Sequence, residues 1–177
     1  PNRTPSDMAT MVNEAIELVG IEVQRRRIQL THHVAFGLPS LLVDPILIEQ
    51  VIVNLIKNAA EAIDVGGDYS PKEMARRQIK VRVVPKNDGI ECSVEDTGQG
   101  VPPEVLKRIF DAFYTTKLEG MGIGLNLCRS IIESHQGRLT AENLYNGISM
   151  SETKAIIGCR FSFWLPFTSS TAAINPT

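Results

Sequence analysis

Residues 45–63, PILIEQVIVNLIKNAAEAI, decide the fold. Leu47, Ile48, Val51, Ile52, Leu55, Ile56, Ala59 and Ala62 recur at three- and four-residue intervals, which sets them on one face of a helix, and Pro45 suits its first turn. Beside that apolar face, Asn54, Asn58 and Glu61 fall at i, i+4 and i+7 and form a polar strip. A solvated helix face is the plainer reading of two Asn alone. Asn is nevertheless a poor helix former, and Glu or Lys would serve solvation better.

Upstream, Ser6 is placed to cap a helix in which Met8, Met11, Val12, Ala15, Ile16 and Val19 repeat with helical spacing, ending near Arg25. Ile28, Leu30 and His32 then alternate with polar residues as in a half-buried strand, and Gly37, Pro39 and Pro45 punctuate a loop. Downstream, DVGGDYSPKEMARR reads as a polar loop. IKVRVV (79–84) and IECSVED (90–96), joined by the turn-forming PKNDG, read as a β-hairpin. A Gly- and Pro-rich tract from Thr97 to Gly124 follows, with a short helical piece around Glu104 to Phe110; a loop this long inside a compact domain is usually functional. A helix is expected from Leu125 to His135, with Gly137 as its left-handed C-terminal residue. RLTAENLY (138–145) and CRFSFWLPF (159–167) are the last strands, and the tail 168–177 is expected to be disordered. This order predicts an α/β (α+β) two-layer sandwich, a mixed, mainly antiparallel sheet covered on one face by helices.

Composition bounds the rest. The 177 residues are 43% hydrophobic and 21% charged, which is globular and excludes disordered, collagen-like and disulfide-scaffold classes. With 18 basic and 20 acidic residues the net charge is -2, which offers no footprint for nucleic acid or for an anionic membrane. Cys92, Cys128 and Cys159 lack CxxC spacing and read as buried free thiols of a reducing compartment. There is no apolar run of 18 residues and no apolar core in PNRTPSDM, so the expected location is cytoplasmic. A start without Met suggests a fragment whose parent continues upstream.

Four short motifs carry the chemistry. The first is the strip Asn54, Lys57, Asn58 and Glu61. The second, Asp96-Thr97-Gly98-Gln99-Gly100, ends a strand: its carboxylate can accept from an exocyclic amine and its glycines let backbone approach a ligand, although a plain β-turn explains this motif alone equally well. The third is FDAFYTTK (110–117), where hydroxyl and ammonium groups suited to phosphate oxygens follow two aromatics. The fourth, Gly120-Met-Gly122-Ile-Gly124-Leu125, opens a helix, where backbone N–H groups can converge on an anion. A dinucleotide fold fails on context because a loop, not a strand, precedes these glycines. A Walker loop fails because no GK[ST] follows them.

In order and spacing, NLIKNAAEA, DTGQG, FDAFYTTK and GMGIGL resemble the asparagine, first glycine, phenylalanine and second glycine boxes of bacterial sensor histidine kinases, within the superfamily that also holds gyrase B, the Hsp90 chaperones and MutL. The resemblance runs from about Ile28 to Phe167 and is strongest to the nitrogen- and oxygen-sensing kinases. It implies the Bergerat ATP-binding sandwich, with ATP and Mg²⁺ as cofactors. Asn58 would bind Mg²⁺, Asn54 and Lys57 would lie near the phosphates, and these three are the candidate catalytic residues. Asp96 would bind the adenine amino group. Gly98 and Gly100 would start a lid spanning Gln99 to Met121, expected to be mobile without nucleotide. Phe113, Thr115, Thr116 and Lys117 would line the lid near the nucleotide, and Gly120, Gly122, Ile123, Gly124 and Leu125 would form the phosphate cradle.

The ATPases of this superfamily carry Glu where Asn54 stands, and Asn cannot act as a general base, which favours a kinase over a hydrolase. Two departures stand out. The family's Thr on the adenine side matches Arg160, and Asn146 to Ile157 is longer than the tight turn expected there. His32, His33 and His135 lack the context of a phosphorylated histidine. Residues 1–27 are therefore expected to be a linker or the tail of a removed dimerisation hairpin, 28–167 the catalytic domain and 168–177 a tail. The implied partners are a histidine-bearing dimerisation domain of the same parent and a response regulator. An ATP-hydrolysing machine and a non-catalytic nucleotide-binding module are the alternatives.

Overall fold

The structure is a computed structural model that describes residues 1–65, 69–111, 123–146 and 155–168. Strand β1 (Thr4–Ser6) leads into helix α1 (Met8–Arg25), then β2 (Gln29–Val34), β3 (Leu41–Val43), α2 (Pro45–Asp64), α3 (Pro71–Ala75), β4 (Gln78–Lys86), β5 (Gly89–Asp96), α4 (Pro103–Leu106), α5 (Ile123–Ser134), β6 (Arg138–Tyr145) and β7 (Ile156–Pro166). Five strands form one sheet in the order β2-β4-β5-β7-β6, with β2 parallel to β4 and every other pair antiparallel. One sheet face lies under α1, α2 and α5; the other is polar. This is the two-layer sandwich with one covered face that the motif order predicts.

Helix α2 is the centre of the core. Ile48, Val51, Ile52, Leu55, Ile56, Ala59 and Ala60 are all buried, and across from them stand Ile79, Val81 and Val83 of β4 and Ile90, Cys92 and Val94 of β5. Burial of each large aliphatic side chain contributes about 1.5–3 kcal/mol, so the apolar stripe, not helix propensity, holds α2 in place. Helix α1 buries Met8, Met11, Val12, Ala15, Val19 and Val23 in the same core.

Several local expectations need correction. The cap of α1 is Asp7, which accepts from the Thr10 N–H; Ser6 ends β1 and donates its hydroxyl to the Thr4 carbonyl. Strands β1 and β3 pair antiparallel in residues read as lead and loop. Three residues are too few to show a period, and the partner lies some forty positions away. Within the polar loop, Ser70 caps the short helix α3. The C-terminus of α5 is a Schellman motif whose left-handed residue is Gln136 (φ 59), not Gly137. There the Gly137 N–H donates to the Ile132 carbonyl and the Gln136 N–H to the Glu133 carbonyl. Arg27 (φ 54) ends α1 in the same manner.

His135 has a structural role at the end of α5. It is buried, its Nδ1 lies 2.7 Å from the Ile131 carbonyl oxygen, and its Nε2 accepts from the Asp44 N–H at 3.1 Å, an arrangement that the neutral ring with its proton on Nδ1 makes. It thereby ties α5 to the residue that caps α2. The three cysteines are buried and free, as expected, and burial pushes each thiol up, to about 12 for Cys92 and Cys159 and about 11 for Cys128.

Candidate nucleotide-binding site

Three pieces of chain meet beside the α2 strip. The first is α2 itself, where Asn54, Lys57 and Asn58 are half-buried. The second is the turn after β5, whose Gly98 packs so closely on α2 that a Cβ there would lie 2.9 Å from the Ala62 carbonyl oxygen. Any side chain would push the turn off the helix. The third is the first turns of α5, reached by the Asn54 amide, whose Nδ2 donates to Cys128 Sγ at 3.7 Å. That contact leaves the Asn54 carbonyl oxygen as the end not spent on sulfur.

Asp96 forms the floor. It is 3% exposed and accepts from the Gly98 N–H at 2.8 Å and from the backbone of Cys159. Burial pushes its carboxyl up to about 6, and these two donors pull against that rise. A carboxylate with this much desolvation and, among the described residues, only backbone donors suits a ligand that brings an N–H of its own. Beyond it the chain is pinned again: Thr97 Oγ1 donates to the Arg76 carbonyl, and the Gln78 N–H donates to Thr97 Oγ1.

Of the remaining candidates, Leu125 is 8% exposed and belongs to the core cluster, while Gly124 is half-buried with open space where a Cβ would stand. Phe113, Thr115, Thr116, Lys117, Gly120 and Gly122 lie outside the described residues, as do the side chain of Ile123, residues 112–121 of the expected lid, residues 147–154 of the long connection and 169–177 of the tail. Phe110, which precedes them, packs edge-on against Phe161 with ring centroids 6.2 Å apart, the core role that two spaced aromatics also allow.

The adenine-side departure at Arg160 has its explanation in strand register. In the β5–β7 ladder Asp96 stands opposite Cys159, while Arg160 stands opposite Glu95 on the other sheet face. Arg160 binds Glu95 (Nε to Oε1, 2.7 Å) and Glu142 (Nη1 to Oε1, 2.6 Å). A shift of one residue along a strand exchanges faces, so the position beside Asp96 belongs to Cys159. Sequence reasoning also passed over Gly158, Asn143 and Asp44. The only local signal for them was a glycine at a strand start, a polar residue on a strand and an acid before Pro.

Residues 43–169 match the family described as histidine kinase-, DNA gyrase B-, and HSP90-like ATPase. The chain is 37% identical over 145 residues to the C4-dicarboxylate transport sensor protein DctS of Rhodobacter capsulatus, covering 78% of this chain and 21% of that protein. It is 36% identical over 160 residues to the sensor protein FixL of Bradyrhizobium diazoefficiens, covering 90% and 28%. The chain thus spans less than a third of these relatives. Among solved structures, the catalytic domain of histidine kinase ThkA superposes with a TM-score of 0.75 at 27% identity, covering 94% of this chain and 96% of that one. Motif order, sandwich and match agree: the chain belongs to the family of histidine kinase-, DNA gyrase B- and HSP90-like ATPases, on the branch of the sensor histidine kinases.

Proposed function

We propose that this domain holds Mg-ATP between α2, the turn after β5 and the start of α5, and that it transfers the γ-phosphoryl group to a histidine on a separate dimerisation domain of the same parent protein. The observation that carries the reading is the buried Asp96 carboxylate, raised to about 6 on the floor of the site, beside a helix that offers Asn54 and Asn58. The carboxylate accepts the adenine amino group. Its desolvation, unfavourable in the empty domain, is offset by a charge-assisted hydrogen bond.

The residues fit the metal as well. Mg²⁺ takes oxygen ligands and is ordinarily bound by a few side-chain oxygens together with substrate phosphates, which an amide oxygen from Asn58 suits. Among the described residues no group of three or more His, Cys, Asp or Glu side chains gathers to hold an ion independently. When bound, the ion supplies neutralisation of triphosphate charge. Asn54 and Lys57 position the phosphates, and because the Asn54 amide takes no proton at neutral pH, water is not activated and the phosphoryl group is kept for the histidine.

In this reading α1 connects the sandwich to the histidine-bearing domain, and residues 28–167 contain the ATP site. ThkA has been solved in complex with the response regulator protein TrrA, which supports a response regulator as the downstream partner here. Among the described residues no helix is long and apolar enough to cross a membrane, which accords with a cytoplasmic location for this part of the parent.

The test is to incubate the chain with Mg-[γ-³²P]ATP, alone and with a histidine-bearing partner domain. Label on the partner alone supports the proposal. Sustained phosphate release by the isolated chain would move the domain to the hydrolases of its family.

A further inference from the structure

The floor of the site extends beyond Asp96. Adjacent strands pair Asp96 with Cys159 and Cys159 with Asn143, so the three residues form one row across β5, β7 and β6. They are 3%, 2% and 8% exposed. An amide so deep needs partners for both its ends. Asn143 finds both on one residue: the Val101 N–H donates to Asn143 Oδ1 at 2.8 Å, and Asn143 Nδ2 donates to the Val101 carbonyl at 2.6 Å. A side chain thus replaces a strand in a two-bond bridge to backbone. Leu would leave both Val101 groups unpaired, and Asp would supply no donor.

Asn143 holds the far end of the turn that begins at Asp96. Gly100 has a φ of 73°, and a Cβ there would stand 2.8 Å from Asn143 Oδ1 and 2.3 Å from Ile156 Cγ2, so the turn is pressed against the amide that pins it. Its near end is anchored at Thr97. Between the two anchors the Gly98 N–H is delivered to the Asp96 carboxylate.

We propose that Asn143 is a positioning residue for nucleotide recognition: by clamping Val101 it fixes the 98–101 turn, so that the Gly98 N–H orients the Asp96 carboxylate toward the base. Asn143 acts through Asp96 and makes no contact with the reacting phosphates. The inference rests on Asp96 as the base-binding group.

The experiment is a double-mutant cycle read by ADP binding to the full chain, with the titration of the Asp96 carboxyl followed by NMR. Asn143→Ala should weaken ADP by about tenfold. It should also move the Asp96 midpoint upward, because the Gly98 donor holds it down; a purely structural role would not move that midpoint. In an Asp96→Asn background, Asn143→Ala should change ADP affinity no further. Asn143→Asp, which keeps the acceptor and the volume, should weaken ADP as well, and it serves if the alanine variant does not fold. Undiminished ADP affinity in a folded Asn143 variant, or full additivity with Asp96→Asn, overturns the proposal. If Asp96→Asn itself leaves ADP binding intact, the base-binding reading fails instead.

Discussion

The backbone carbonyl oxygen of Asp96 occupies the space that a side chain on Gly158 would need: a Cβ at Gly158 would stand 1.9 Å from it. The last strand can therefore lie against the site only where it has no side chain. Gly158→Ala should force β7 away from β5 at this point, with a loss of about 1–3 kcal/mol in urea unfolding. Gly124→Ala is the contrast, since nothing lies within 4 Å of that Cβ. It should leave stability unchanged or slightly higher, so any fall in nucleotide affinity in that variant reports on the ligand and not on the fold.

Asp96 should make the empty domain pH-sensitive. Its folded value, about 6, lies above the ordinary 3.8, so between about pH 4 and 6 the folded state binds more protons than the unfolded state. Stability conferred by this group is lost as pH rises through that window, and the penalty is complete above it. Asp96→Asn should raise the stability of the nucleotide-free domain at pH 7 by up to about 3 kcal/mol while weakening adenine nucleotides by about 1.5–3 kcal/mol. Denaturant titrations at pH 4, 6 and 7 with calorimetric binding check both. Equal stability of the two proteins at pH 7 would count against the buried charge.

At the end of α5 the two neighbouring residues should respond in opposite ways. Gln136 holds the left-handed conformation at a cost that Gly avoids, so Gln136→Gly should add about 0.5–1 kcal/mol. Gly137→Ala should cost about 1–3 kcal/mol because its Cβ would meet the Trp164 carbonyl oxygen at 2.2 Å. Thermal melts of the pair decide it. The reverse pattern would restore Gly137 as the left-handed residue.

His135→Ala should strand the Asp44 N–H that its ring accepts from, costing about 1–3 kcal/mol for the unpaired donor besides the lost packing. The effect should appear as faster hydrogen exchange at the Asp44 amide, next to the α2 terminus. Protection there equal to that of the unmodified protein would show that the histidine is dispensable.

Legibility followed the range of the interactions. Helix α2 could be read because its apolar period runs through five turns, and the hairpin β4–β5 because alternation and turn residues coincide. Asn54 and Asn58 were legible as a strip, and Asp96 as an acid ahead of glycines. Asn143 was not, since an Asn on a strand says nothing until Val101 is seen against it. Counting along the chain matches Arg160 to the family's adenine-side Thr, whereas the pairing register sets Cys159 opposite Asp96 and Arg160 on the polar face.

Sequence by itself determined the class of fold and the family and nominated the site residues, because hydrophobic period, turn chemistry and four ordered motifs are properties of neighbours in the chain. Tertiary structure decided which strand residue faces the Asp96 carboxylate, which glycines yield space to backbone and which buried amide holds the turn. Those outcomes depend on distances between segments far apart in the chain, set by ladder register and close packing, and no local pattern encodes them.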